Sequence, residues 1–321
     1  MWRIRDEKNR QILRVATFNL QNLRLRTREG RPVLDGAVDQ DRPDVPLSIE
    51  IDLADREKTA TVVSMVQADV VALQEVFDLA ALDYFHDTFL VRTGSPEYPF
   101  RYCLPGNDGR GLNVAALSRR RAVSAKSHAE LTGADLGLSD LPHDLRNQKL
   151  FRRDCLELDF ENVTLFICHF KAPYPDPEKA LLVRKAEAQA VRKIVDARFP
   201  QPENERWMIL GDFNEPARGT PPSRSTLAPL KRGFSIDLLD RLSPGTNWTY
   251  EVLATHVRSR PDRILVSPRL AQEYPEVRPQ IVRSGMISSL RGCLDEPAPG
   301  EAPHRPHASD HALVYADFPG L

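Results

Sequence analysis

The sequence predicts an α/β fold, on three observations. Short β-branched runs alternate with longer stretches of helical spacing, which argues against a helical bundle or an all-β barrel. No fixed-period repeat breaks that alternation. A 321-residue chain that is 41% hydrophobic can bury roughly three quarters of its unfolded surface, so a core needs neither disulfide nor structural metal.

The elements follow in order. Residues 12–18 read as the first strand. Residues 58–66 carry helical spacing and lead into 69–73, a second buried strand. Residues 114–117 and 155–160 are further strands, and Val-Thr-Leu-Phe-Ile-Cys at 163–168 is the strongest by β-branched content. Residues 178–199 form the longest predicted helix, with Leu181, Leu182, Ala188, Val191, Ile194 and Val195 as its apolar stripe. That stripe suits a structural helix covering a sheet. Strands at 207–210, 263–266 and 312–316 complete the set. Residues 24–55, rich in Arg, Asp and Pro, and the proline-rich residues 290–309 read as long loops, within one domain spanning 1–321.

Charge and composition narrow the setting. The 44 Lys+Arg and 45 Asp+Glu leave a net charge of −1, which removes the simplest case for non-specific nucleic-acid binding. No apolar run approaches the ~18 residues of a transmembrane segment. Residues 1–8 have no apolar stretch behind their charges, and the four cysteines show neither zinc-type spacing nor disulfide density. The expectation is a cytoplasmic protein, with no protein partner inferable.

Reactive residues fall at the strand ends. Asn19, Gln74-Glu75, His169 and Gly211-Asp212-Phe213-Asn214 each follow a predicted strand, whereas Asp262 and Asp310-His311 each precede one. If the last two strands run antiparallel to the other four, all gather at one edge, where open α/β sheets place their ligands. Four carboxylates would then meet (Glu75, Asp212, Asp262, Asp310). Like charges at ~4 Å repel by several kcal/mol at intermediate dielectric, so such a group calls for protonation or a cation. Oxygen donors favour Mg²⁺, Mn²⁺ or Ca²⁺ over zinc. A histidine kept charged by a neighbouring Asp can hold a phosphate while another Asp aligns a water.

Thr17-Phe18-Asn19, Leu73-Gln74-Glu75-Val76, His169-Phe170-Lys171, Gly211-Asp212-Phe213-Asn214, Pro261-Asp262-Arg263-Ile264-Leu265 and Ser309-Asp310-His311 resemble, in order, the motifs of the endonuclease/exonuclease/phosphatase superfamily. The resemblance implies a DNase I-like, four-layered α/β/β/α sandwich of two mixed sheets with outer helices. It implies that Glu75 is the principal Mg²⁺ ligand, with Asn19 and Asp310 beside the metal and Mn²⁺ as a possible substitute. Asp212 would orient or deprotonate the attacking water, and Asn214 would contact phosphate. Asp262 would charge and orient His311 on the scissile phosphate. His169 would contact phosphate or assist the leaving group. Repair-type members carry an acid two residues after the first asparagine; Gln21 stands there in this chain, which argues against a repair role.

Each residue also has a plainer reading. Asn19 alone suits a strand-end turn, Glu75 a helix cap, His169 a satisfied core histidine, and Gly-Asp-Phe-Asn a simple turn. Asp262 beside Arg263 could be a local ion pair of little worth if exposed. Weaker candidates for substrate contact are Arg110 and Asn113 after a Gly-Asn-Asp-Gly turn, Arg152 of the Arg152-Arg153 pair, and Trp248 of Asn247-Trp248-Thr249-Tyr250. The Ser118-Arg119-Arg120-Arg121 cluster is a solvated face or a phosphate contact. The expected function is a Mg²⁺-dependent phosphodiesterase, a nuclease acting on DNA or RNA by in-line attack of water. The alternative is a lipid or inositol phosphate phosphoesterase, and a third reading is a non-catalytic scaffold. The two long loops are expected to border the cleft.

Overall fold

Alternation of side chains along the strands decides the architecture. In β1 (Ile12–Leu23), Val15 packs to one face while Ala16 and Phe18 pack to the other, so both faces of the strand are buried. A strand buried on both faces needs a layer on each side. The computed structural model describes residues 12–37, 49–215, 225–231, 233–287 and 306–321.

After β1 comes a hairpin of β2 (Leu25–Arg28) and β3 (Arg31–Leu34), followed by helix α1 (Ile49–Val66). Strand β4 (Val70–Val76), helix α2 (Leu79–Phe85), and strands β5 (Phe100–Cys103), β6 (Asn113–Ser118) and β7 (Ser124–Lys126) come next. The short helix α3 (His143–Arg146) precedes β8 (Cys155–Asp159), β9 (Thr164–His169), helix α4 (Pro177–Arg198) and β10 (Trp207–Asp212). Strands β11 (Ile236–Asp237), β12 (Tyr250–Glu251), β13 (Arg258–Ser259) and β14 (Asp262–Val266), helix α5 (Pro268–Glu273), β15 (Gln280–Val282) and β16 (Leu313–Pro319) finish the chain.

Two six-stranded sheets result, ordered β15-β16-β1-β4-β6-β5 and β11-β14-β10-β9-β8-β7. Both are mixed. β1 runs parallel to β4 and antiparallel to β16, and β10 runs parallel to β9 and antiparallel to β14. The antiparallel sense expected of the last two strands is therefore present. The inner faces meet through Val15, Val70, Ala72, Val114 and Val314 from one sheet and Leu165, Ile167, Met208, Leu210 and Ile264 from the other. Outside the first sheet, Phe18, Val71 and Leu73 pack on Ala60, Val63, Leu82 and Phe85 of α1 and α2. Outside the second, Phe166, Trp207 and Ile209 pack on Ala188, Val191, Ile194 and Val195 of α4. The layers are helix, sheet, sheet, helix. Among the described residues, no helix is long and apolar enough to cross a membrane.

Two expectations need correction. Residues 24–37 are not structureless: they fold as the β2–β3 hairpin, and α1 already begins at Ile49. Leu34 is buried in the outer core with Leu25 packed against it, and ion pairs add to this, with Arg26 and Arg28 on Asp35 at 2.6 and 3.1 Å and Arg28 on Asp52 at 3.0 Å. Of the second predicted loop, residues 290–305 lie outside the described residues. In α4, Leu182 is exposed, and Val183, Arg184 and Glu187 take buried positions instead. The helix is rotated from its apolar stripe because Glu187 and Arg184 reach the segment after β9. Glu187 accepts the Arg152 and Lys171 N–H groups at 3.0 and 2.8 Å, and Arg184 Nη1 donates to Lys171 O at 2.9 Å.

Candidate active site

The inner faces of the two sheets are apolar until one edge, where they turn polar. Val15 and Thr17 lead to Asn19, Leu165 and Ile167 to His169, Met208 and Leu210 to Asp212, and, read backwards, Val266 and Ile264 to Asp262. A two-residue period carries each of these side chains between the sheets. The pairing aligns Asp212 with both His169 and Asp262. Gly211 makes that approach possible: at φ +142°, a Cβ there would lie 1.9 Å from Cys168 O, so no other residue fits.

Glu75 breaks the alternation. It would point to the outer face, but its φ of +62° and a register shift between Gln74 and Val76 turn it towards the same edge. Its Oε2 accepts the Asn22 N–H at 3.0 Å. Gln21 and Asn22 are left-handed as well, at φ +50° and +60°, within a bulge that shifts the β1–β4 register. Such backbone costs on the order of 1–3 kcal/mol per residue and persists where surrounding contacts over-determine it.

The side chains converge. Asn19 Nδ2 donates to Asp212 Oδ2 at 3.1 Å and to Glu75 Oε1 at 3.4 Å, while Asn19 Oδ1 accepts the Gln21 N–H at 3.0 Å. His169 Nε2 stands 3.5 Å from Asp212 Oδ2. His311 Nδ1 donates to Asp262 Oδ2 at 2.9 Å, and Nε2 lies 3.9 Å from both Asp212 and Asp310. Thr249 Oγ1 donates to the same Asp262 oxygen at 2.6 Å. The Tyr250 ring centre is 5.0 Å from that of His311 and covers one side of the imidazole. Asn214 holds Asp212 through its N–H at 2.8 Å and passes Nδ2 to Phe170 O at 3.0 Å.

Burial and charge then set protonation. Burial raises the Asp212 carboxyl to about 6, with His311 pulling it down and Asp262 pushing it up. Burial alone would discharge His311, but Asp262, Asp310 and Asp212 lift its pKa well above the ordinary histidine value. His169 is driven well below its ordinary value by burial and by Arg153 and His311 nearby, so it is neutral. Glu75 is raised by burial and by Asp310.

Glu75, His169, Asp212, Asn214, Asp310 and His311 thus surround one cleft of about 380 Å³, with Arg110 on its wall, Asn19 buried against Asp212 and Glu75, and Asp262 buried behind His311. Three expected contacts lie elsewhere. The Asn113 side chain is spent on Gly106 N, Phe77 O and Gly111 O. Trp248 does not line the cleft; its ring carries the Arg258 and Arg283 guanidinium groups at 4.4 and 4.2 Å. Arg152 is not on the cleft wall; Arg153 is, buried, with its Nε 3.2 Å from Asp108 and its Nη1 donating to Phe170 O at 3.3 Å. Tyr250, the other aromatic of the 247–250 run, lines the cleft instead, as does Tyr174, which no motif marks. The signals were adjacent (an Arg-Arg pair, a Trp-Thr-Tyr run), but nothing in them says which member faces inward. The 118–121 cluster follows the end of β6 that pairs with Val70, opposite to the end of β4 that carries Glu75.

The donor set fits a hard divalent cation. Asp212, Asp262 and His311 offer atoms within 4.8 Å of one another, but Asp262 Oδ2 is already taken by His311 and Thr249. That trio therefore reads better as a hydrogen-bonded relay. Glu75, half-buried, has its carboxyl raised by burial and by the charge of Asp310, so it calls for a compensating positive charge. Oxygen-rich surroundings of this sort select Mg²⁺ or Mn²⁺ over softer ions.

The sequence profile of the Endonuclease/Exonuclease/phosphatase family matches residues 16–311. No curated protein matches the chain. Among solved structures, truncated Caenorhabditis elegans TDP2 is similar at 17% identity and a TM-score of 0.56, over 96% of this chain and 98% of that one. An endonuclease/exonuclease/phosphatase from Beutenbergia cavernae is 17% identical with a TM-score of 0.58, over 97% of this chain and 72% of its own. Beta toxin 275-280 from Staphylococcus aureus is 16% identical with a TM-score of 0.56, over 95% and 99%. At such identities the structural likeness speaks to the fold, and the profile speaks to descent. The chain belongs to the endonuclease/exonuclease/phosphatase family, and the reaction class those three activities share is hydrolysis of a phosphate ester.

Proposed function

We propose that this chain is a Mg²⁺-dependent phosphodiesterase that hydrolyses DNA or RNA by in-line attack of an activated water. Asp212 carries the reading. It sits 3.1 Å from Asn19, 3.5 Å from His169 and 3.9 Å from His311, and burial lifts its carboxyl to about 6. A carboxylate of that basicity is ionised at neutral pH yet strong enough to take a proton from water. His311, kept charged by Asp262, donates from Nε2 to a phosphoryl oxygen and offsets the charge that builds there. Neutral His169 flanks the same oxygens or the leaving group, and Arg110 and Arg153 offset the remaining phosphate charge. Glu75, with Asp310 and Asn19 beside it, would hold the ion, with Mn²⁺ able to replace Mg²⁺. Once bound, the ion polarises the scissile phosphate. A cytoplasmic setting belongs to the same proposal.

Asp212→Asn and His311→Ala are each expected to lower hydrolysis of bis-p-nitrophenyl phosphate by at least about 100-fold without unfolding the protein. Full activity in either variant rejects the assignment. A second reading has its own support: Tyr174, Val252 and Val257 line the cleft and are exposed, and Leu253 is exposed next to them. An apolar rim of that kind suits a lipid phosphoester. Comparing plasmid nicking with hydrolysis of sphingomyelin and an inositol phosphate separates the two, and exclusive turnover of the latter pair favours the second.

A further inference from the structure

We propose that Arg56 and Gln21 are positioning residues that hold the bulge at residues 20–22 in the one shape that aims Glu75 and Asp310 at the same point. This rests on the reading of those acids as the cation-binding pair. Arg56 projects from α1 and is fully buried. Its Nε donates to Asp35 O at 2.6 Å and its Nη1 to Leu20 O at 2.7 Å. Its Nη2 donates to Gln21 O and Gly36 O, each at 2.7 Å, and to Asn22 O at 3.1 Å. Five of its hydrogen bonds thus end on main-chain carbonyls, three of them in the bulge.

Two of those three residues hold the strain. Gln21 and Asn22 are left-handed in succession, a backbone costly for residues with a Cβ, and an over-determining partner has to hold it. The same bulge reaches the site by three routes. The Asn22 N–H binds Glu75 Oε2 at 3.0 Å, the Gln21 N–H binds Asn19 Oδ1 at 3.0 Å, and Gln21 Oε1 accepts the Asp310 N–H at 2.9 Å. Gln21 is thereby committed to the backbone of Asp310 rather than to the cleft. Helix α1 grips the other side too: Asp55 accepts the His307 N–H at 2.8 Å, and Thr59 Oγ1 donates to Ala308 O at 2.9 Å. Ser309 Oγ closes the circuit on Asn19 O at 2.7 Å.

A guanidinium is a planar fork able to serve several carbonyls at once; an ammonium is a single point with three donors. Arg56→Lys keeps the charge and loses the fork. Arg241→Lys is the control, because Arg241 also spends its guanidinium on carbonyls, those of Ala271, Tyr274 and Val277, away from the cleft. Each full-length protein is titrated with Mg²⁺ and with Tb³⁺ by calorimetry, and amide hydrogen exchange is read at Asn22 and Asp310. Arg56→Lys is expected to weaken both ions by about 10- to 100-fold, as loss of outer contacts does, and to speed exchange at both amides. Its kcat should fall with KM nearly unchanged. Arg241→Lys should retain wild-type ion affinity and exchange at those amides even where its unfolding midpoint drops. Gln21→Ala, which leaves the buried charge in place, should weaken the ions and speed exchange at Asp310, and it decides the matter if Arg56→Lys does not fold. Wild-type ion affinity and protection in a folded Arg56→Lys, or in Gln21→Ala, overturns the proposal. Failure of the wild-type protein to bind either ion instead overturns the cation-site reading beneath it, whatever the amides show.

Discussion

Asp212 and His311 illustrate how two neighbours settle into opposite roles. Burial favours the neutral form of both, yet three carboxylates outweigh it for His311, while Asp212 stays raised to about 6. The sign for activity follows directly. Below about pH 6 Asp212 holds its own proton and cannot take one from water, so the rate rises with pH through that value. It should fall again only when His311 loses its proton, well above the ordinary histidine range. A rate–pH profile tests this, and Asp262→Asn should draw the alkaline limb down towards neutrality and, because Asp262 also raises Asp212, shift the acid limb to lower pH. An alkaline limb unmoved by that substitution would remove Asp262 from its role. At this scale the sequence disclosed residue types better than orientations. Asp310-His311 and Gly-Asp-Phe-Asn are legible because their chemistry and their place at strand ends coincide. Arg153 could not be told from Arg152, since neighbouring side chains diverge and only the packed chain shows which one enters the cleft.

Helix α4 is more than a cover for the second sheet. Its Glu187 is buried, and burial lifts the carboxyl to about 7 although the Arg152 and Lys171 N–H groups oppose this. The folded protein therefore keeps a proton that the unfolded chain, near its ordinary 4.5, has released. The share of stability that Glu187 contributes should decline as pH climbs from 4.5 to about 7 and be level on either side, by roughly 3 kcal/mol at most. Glu187→Gln imitates the protonated acid and should flatten that slope, read as urea midpoints between about pH 5 and pH 8. Parallel slopes in both proteins would place the titration elsewhere. The inner strands β1, β4, β6, β8, β9, β10, β14 and β16 and the α4 span were readable from period and β-branching, whereas the short edge strands and the rotation of α4 were not. Leu182 satisfies the apolar pattern and is exposed, because two polar residues of the same helix are needed on the inner side to hold the loop after His169. The β2–β3 hairpin was hidden for a related reason: only Val33, Leu34 and Leu25 give it an apolar anchor, and the ion pairs that supplement them leave no periodic trace.

For the molecule as a whole, four carboxylates at one edge mean that the fold is built against its own charge there. Mg²⁺ should relieve this, stabilising the protein by about 2.7 kcal/mol at a concentration about 100 times its Kd. Thermal unfolding with Mg²⁺ and then with a chelator measures the effect, and Glu75→Gln should abolish most of the shift. A wild-type midpoint indifferent to Mg²⁺ would speak against a folded-state ion site.

Gly211 has a wider consequence. Because Asp212 and His169 are brought abreast by two rigid backbones that only glycine lets touch, the spacing of those two groups is inherited from the sandwich itself. The rim above them, with Tyr174 and the β12–β13 turn, bears no such duty. Evolution could thus retailor what is cut, by exchanging rim segments, while the hydrolytic apparatus passes unaltered from one specificity to the next.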